Sequence, residues 1–383
     1  MRSPRAALDA LRADPCGARL LRAFAPDEGV HLVGGAVRDL MLEREPRELD
    51  LVVEGDVDAA AARLEGEVKA HDRFGTARVR AGDCAFDLVR ARAEVYAHPG
   101  ALPDVRPGSL DEDLHRRDVT INAMALDLDG ELRAVPGALE DLHAGVLRVL
   151  HDRSFVDDPT RVWRIARYAA RLGFTVEDHT RALAARADPT TVSGDRLGAE
   201  LRLALREPDP PAAFEAVTAL NPRYLPAGFD PRPKALEAAL GLLPDEGRRD
   251  LLTLAACTAA MDAGALLRWL DEMGFTAAER DLVAAASRFV TGAPLRAART
   301  SAEIARAARG APIEAVALVG GENARRWIDE LRHVRLEIDG HDLLAAGIPE
   351  GPEVGKRLQR ALDRKLDGEV SGRDEELAAA LEG

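Results

Sequence analysis

Aromatic residues make up only 4% of this 383-residue chain, so a stacking platform for single-stranded nucleic acid is not evident. Cysteine is also scarce. Cys16, Cys84 and Cys257 are widely spaced and odd in number. That pattern implies neither a disulfide framework nor a zinc site, and it fits a reducing cytoplasm. No apolar run approaches the length that spans a bilayer, so no membrane partner is expected. The Arg-containing N-terminus lacks the apolar core of an export signal. Positive charge is in deficit: the formal net charge of −14 argues against general coating of polyanions. A local basic groove is still compatible with that total. There is no P-loop, no kinase motif set, no internal repeat and no low-complexity tail. The His-Asp pairs at 71–72, 151–152 and 341–342 are isolated, which excludes an appended His-Asp metal phosphohydrolase domain. His115 and His143 read as surface or hinge residues.

Hydrophobic content of 46% and charged content of 31% are those of a soluble globular protein, long enough for roughly two to four domains. The chain is organised around residues 31–55. A short apolar strand, His31–Val33, meets a tight Gly34-Gly35 turn, and a helix follows from Ala36 to Leu42. Glu45-Pro46 breaks that helix. A second strand, Leu49–Val53, carries Asp50, with Glu48 just before it. Side chains two apart on a strand share a face, so the two carboxylates sit together and call for a compensating cation. Bare amides after the Gly-Gly turn suit a phosphate. A phosphate cradle beside a Mg²⁺ site reads as nucleotide chemistry.

The run Gly34-Gly35-Ala36-Val37-Arg38-Asp39, with Glu48-Leu49-Asp50 after it, resembles the head motif of the class II tRNA nucleotidyltransferase and bacterial poly(A) polymerase family. That family belongs to the polymerase-β-like nucleotidyltransferases. One departure is Glu48, where the family usually has Asp; its carboxylate reaches one methylene further. By this resemblance Glu48, Asp50 and Asp87 are catalytic, Glu48 and Asp50 hold Mg²⁺, and Gly34, Gly35 and Arg38 bind nucleotide. The fold class implied is α+β, an α/β head followed by helical neck, body and tail.

Arg116-Arg117-Asp118-Val119-Thr120-Ile121-Asn122 is either a solvated charge run or a nucleotide contact. Arginine forks suit phosphates, and Asp118 suits ribose hydroxyls. The string resembles the family's second motif, which assigns Arg117, Asp118 and Asn122 to the nucleotide. Asp157-Asp158-Pro159-Thr160-Arg161 opens a helix on which Arg161, Arg164, Arg167 and Arg171 lie to one side. Such a row costs stability unless a polyanion faces it. Cytosine and adenine both show an amino donor beside a ring-nitrogen acceptor, which a carboxylate and an arginine match. Uracil and guanine reverse the pattern and leave buried groups unpaired. The family resemblance assigns base reading to Asp158 and Arg161, orientation of Arg161 to Asp157, and nucleotide contact to Arg164 and Arg167.

Near the C-terminus, Gly340-His341-Asp342 and Gly351-Pro352-Glu353-Val354-Gly355-Lys356 resemble the family's tail motif. Lys356, Arg357 and Arg360 form either a solvated helix face or a phosphate contact to RNA. The expected organisation is a head over 1–139, a neck over 140–206, a body over 207–310 and a tail over 311–383. Smaller elements are expected too: one amphipathic helix over 4–24, a helix from Asp56 or Asp58 to about Lys69, a hairpin over 76–90, and a loop over 97–109. Beyond residue 138 only helices are expected.

The resemblance implies an enzyme that adds CMP and/or AMP to the 3′ end of tRNA from CTP and ATP. Poly(A) polymerase of the same family is an alternative, and a catalytically inactive RNA-binding protein is another. CC-only family members are shortened between the first two motifs. The corresponding segment here, 91–108, has full length, which favours A addition. It is either a mobile lid or a long surface connection.

Overall fold

The computed structural model describes residues 1–24, 26, 29–46, 48–71, 75–290 and 292–382. The chain divides into two compact units, Met1–Tyr224 and Leu225–Gly383.

The first unit opens with α1 (Pro4–Ala13) and α2 (Pro15–Ala23), where one helix was expected. Pro15 has no amide to continue α1, and Asp14 caps α2 by accepting from the Gly17 amide at 2.8 Å. Next come β1 (Val30–Val33), buried along its length, α3 (Gly35–Met41) and β2 (Leu49–Val53). Asp56 caps α4 (Val57–Arg63), which is shorter than expected. The chain then turns at Glu65, whose φ is 52°, and Glu67 begins a strand. A Cβ on Gly66 would lie 2.3 Å from the Arg80 carbonyl oxygen, so this close approach needs glycine. The strand, β3 (Glu67–His71), pairs with β4 (Thr76–Ala81), and β4 turns at Gly82 into β5 (Cys84–Arg90) as expected.

Part of the expected loop is also strand: β6 (Arg92–Val95) pairs with β7 (Asp104–Pro107). A Ser109–Glu112 capping box starts α5 (Leu110–His115). β8 (Met124–Asp127) and β9 (Leu132–Ala134) complete a seven-stranded sheet in the order β3-β4-β5-β2-β1-β8-β9. Its one parallel pair is β2 with β5, and that pair sets Asp50 opposite Asp87.

Helices follow: α6 (Ala138–Ala144), α7 (Ser154–Asp157), α8 (Arg161–Leu172), α9 (Asp178–Ala184), α10 (Gly194–Leu205) and α11 (Pro210–Leu220). They are not the whole of it. β10 (Val146–Leu147) and β11 (Thr175–Val176) form a short parallel pair that the helical periodicity hides. Trp163 of α8 meets Phe214 of α11 edge to face at 6.2 Å. Residues 207–224, assigned from sequence to the body, therefore pack with the first unit.

The cysteine expectation is corrected. Cys16 of α2 and Cys84 of β5 form a disulfide across 68 residues of sequence. Packing of α2 on β5 brings them together, which spacing alone does not reveal. Cys257 is a buried free thiol.

The second unit is helical, from Leu236–Leu242 to Arg373–Leu381. Its last three helices close over a small core of Ile338, Leu343, Ala361 and Ala379. Among the described residues no helix is long and apolar enough to cross a membrane.

Candidate active site

Three carboxylates meet on one face of the head sheet. Glu48 is exposed at the entrance to β2, Asp50 is partly buried within it, and Asp87 stands on β5. One oxygen from each lies within 4.8 Å of the others. Burial pushes the Asp50 carboxyl up to about 6, and the charges of Glu48 and Asp87 push it the same way; Arg117 and Arg78 oppose them only in part. Arg78 of β4 forks onto Asp87, with Nε to Oδ1 at 2.6 Å and Nη2 to Oδ2 at 2.5 Å. Its Nη2 also reaches Glu48 Oε1 at 3.4 Å. All three side chains offer hard oxygen donors, a set that suits a hard divalent cation. Asp72, of the first His-Asp pair, lies outside the described residues. Asp152 pairs with His179, and Asp342 with Arg373.

Beside the triad, Gly34 adopts φ +67°, and a Cβ there would come 2.6 Å from Arg117 Nη1. The first turn of α3 carries no side-chain cap. The turn lines a cleft of about 860 Å³ that also takes in Gly35, Arg38, Glu48, Asp50, Arg117 and Asp118. Arg38 is buried, donates to Asn122 Oδ1 at 2.6 Å, and lies over the Tyr168 ring. It braces the site from beneath. Arg117 is steered by Asp113 at 2.9 Å, and its buried Nε has no partner among the described residues. Asp118 accepts from Asn122, Arg164 and Tyr168. Burial alone would raise its carboxyl; the Arg164 charge and these hydrogen bonds outweigh burial and hold it well below the usual carboxylate range.

The arginine row of α8, expected to face a polyanion, meets protein carboxylates at Arg164, Arg167 and Arg171. Arg164 pairs with Asp118, Arg167 with Glu200 and Glu207, and Arg171 with Glu207. α10 supplies Glu200, and Glu207 follows shortly after it. Sequence reasoning missed both. The row itself was the signal, since buried like charge requires counter-charge, but it does not say which residues provide it. Asp158 accepts from Arg196 Nη2 at 2.9 Å and from the Thr160 hydroxyl, both through Oδ1. Its Oδ2 takes no hydrogen bond among the described residues. Arg161 is buried and donates to Ser154 Oγ at 2.9 Å and to the Arg116 carbonyl at 2.8 Å. Asp158, Arg161, Arg164 and Arg167 all line the cleft. Asp157 does not; it pairs with Arg153 instead of Arg161. Arg78, Tyr168 and Arg196 are further site residues that the motifs did not mark.

The tail cations lie in the second unit. Lys356 is exposed. Arg357 pairs with Glu353 and donates to the Ala380 and Leu381 carbonyls, and Arg360 donates to the Glu382 carbonyl. Both arginines thus satisfy the end of the last helix.

The part of the chain that carries the sheet, the carboxylate triad and the glycine turn matches the family model of the Poly A polymerase head domain, over residues 30–148. Over 377 residues the chain is 34% identical to a CC-adding tRNA nucleotidyltransferase of Deinococcus radiodurans, covering 94% of this chain and 91% of that one. It is also 34% identical over 398 residues to an A-adding tRNA nucleotidyltransferase of Geobacter sulfurreducens, covering 92% of this chain. It spans 45% of the length of that relative. The chain belongs to the tRNA nucleotidyltransferase family. A solved structure of the Thermotoga maritima CCA-adding enzyme complexed with tRNA superposes with a TM-score of 0.76 at 25% identity, covering 99% of this chain and 98% of that one.

Proposed function

We propose that this protein is a template-independent RNA nucleotidyltransferase that adds CMP and/or AMP from CTP and ATP to the 3′ end of tRNA, working in the cytoplasm with Mg²⁺. The observation that carries the reading is the Glu48, Asp50 and Asp87 triad beside a cleft that also holds Arg117, Asp118, Asp158 and Arg161. In the reaction the tRNA 3′ oxygen bonds to the α-phosphorus, the bond to the bridging oxygen breaks, and pyrophosphate leaves. Mg²⁺ held by Glu48 and Asp50, with Asp87 beside them, would make the 3′-hydroxyl more acidic and offset triphosphate charge.

The protein's own groups do the rest. The amides after Gly34-Gly35 and the guanidinium of Arg117, which lines the cleft, take the triphosphate. Asp118, kept ionised by Arg164, accepts from the ribose hydroxyls. Asp158 takes the base amino group through Oδ2, and Arg161 donates to the ring nitrogen. Arg38, Asn122, Arg164 and Arg167 keep these groups in place from below and behind. Asp157 stands outside this cleft, paired with Arg153. Lys356, with Arg357 and Arg360 beside it, contacts RNA phosphates.

Addition of A is favoured by the full-length segment 91–108. The test offers purified protein two tRNAs, one ending before CCA and one ending in CC, with labelled CTP or ATP and Mg²⁺. AMP on the second tRNA supports the reading. Long tails on both would favour poly(A) polymerase, two cytidines with no A would favour a CC-only enzyme, and no incorporation would leave a binding protein.

A further inference from the structure

Arg78 belongs to no motif, yet it occupies the triad. The pairing registers set Arg78 opposite Asp87, and Asp87 opposite Asp50, across β4, β5 and β2. Directly paired residues point to one face, so the guanidinium stands on the same face as the carboxylates. It grips both oxygens of Asp87 and touches Glu48. One side chain therefore binds the two outer members of a set whose oxygens lie within 4.8 Å of one another. The strand position is also informative. β4 lies between β3 and β5, so its backbone is fixed on both sides and Arg78 cannot drift away with an edge.

We infer that Arg78 is a positioning residue that acts as the triad's resident cation: it holds Asp87 in place and competes with the divalent ion for Asp87 and Glu48, so that it sets how tightly the ion binds. The inference rests on the triad being the metal site. Two features make the competition adjustable. The Arg78 side chain is 45% exposed, so its pairs are partly screened and an incoming ion can displace them. The longer Glu48 side chain can follow the ion or the guanidinium, which a shorter Asp in its place could not do as readily.

The test is Mn²⁺ binding to the full-length protein, followed by electron paramagnetic resonance of the free ion and by the rise in melting temperature that Mn²⁺ produces. Arg78→Gln removes the charge while leaving an exposed polar side chain. It should bind Mn²⁺ about fivefold tighter, equivalent to about 1 kcal/mol, and gain more Tm from the ion than wild type does. Arg78→Lys keeps a point charge and should stay within about twofold of wild type. If Arg78 merely supported the fold, both variants would bind Mn²⁺ more weakly; unchanged or weaker binding by Arg78→Gln overturns the inference and leaves the metal site standing. Asp50→Ala separates the two claims. If wild-type Mn²⁺ binding does not depend on Asp50, the triad is not the metal site and the inference falls with it.

Discussion

Asp50 bears the cost of the site. Its carboxyl sits near 6, against an ordinary 3.8, because burial and two like charges disfavour the ionised form. A raised carboxyl stabilises the fold only while protonated. That contribution is complete below 3.8, is lost as pH rises through 6, and leaves a standing penalty above it. Asp50→Asn should therefore raise the Tm of the protein in EDTA at pH 7.5 by several degrees, flatten the stability profile between these two pH values, and abolish incorporation. Calorimetry across pH checks it; a fall in Tm at neutral pH would show that the charge is already compensated. Arg161→Ala tests the base pocket. It leaves Ser154 Oγ and the Arg116 carbonyl short of a donor, which costs about 1–3 kcal/mol of stability. It should also collapse the preference for ATP and CTP over UTP and GTP by about tenfold or more while triphosphate affinity changes little. Ratios of kcat/KM for the four nucleotides decide this; a retained preference would place base selection elsewhere. Glu48, Asp50 and Asp118 could be found from sequence because strand periodicity and compact motifs carry them. Arg78, Arg196 and Glu200 could not, since each enters the site from a separate stretch through pairings that no spacing rule encodes.

Among the elements, the β6–β7 hairpin shows how far a loop can be ordered by its surroundings. Proline and glycine mark residues 97–109 as irregular, yet four of them pair as strand and the tip docks on the helices. The Gly100 amide donates to the Val156 carbonyl at 3.0 Å, and Arg196 donates to the Gly100 carbonyl at 2.7 Å. Arg196 also holds Asp158, so one arginine joins the hairpin tip to a carboxylate that lines the cleft. Gly100 has φ +70°, and a Cβ would fall 2.3 Å from the Thr191 carbonyl oxygen. Gly100→Ala should undock the tip at a local cost of at least about 1 kcal/mol. Amide exchange over 96–103 should then rise, and kcat/KM for A addition should fall more than tRNA affinity does. Unchanged exchange would mean the tip holds without this contact. The misread stretch 67–69 has the opposite cause: its composition allows helix, and pairing with β4 decides for strand.

For the whole molecule, the head is where sequence is most informative, because its motifs are dense and tied to chemistry. The second unit packs by apolar contacts that many sequences satisfy, so its helices are predictable as helices and little else. The division at Tyr224 and the Cys16–Cys84 bond together give a thermal signature. The bond closes a 68-residue loop within the first unit, worth about 4 kcal/mol if chain entropy dominates. Two resolved calorimetric transitions are expected, and a phosphine reductant should lower one and spare the other. A single transition that ignores reductant would rule out both the bond and the thermal independence of the units.

The parallel register of β2 with β5 also constrains how the gene can change. Alternate residues of a strand face opposite sides, so one codon gained or lost between the Gly82 turn and Asp87 would turn Asp87 to the wrong side of the sheet and carry the apolar Phe86 or Leu88 into its place. Changes of two codons restore the facing, though they shift the carboxylate along the strand. Length variation in this family's genes should therefore be scarce between these positions and, where tolerated, come in even steps.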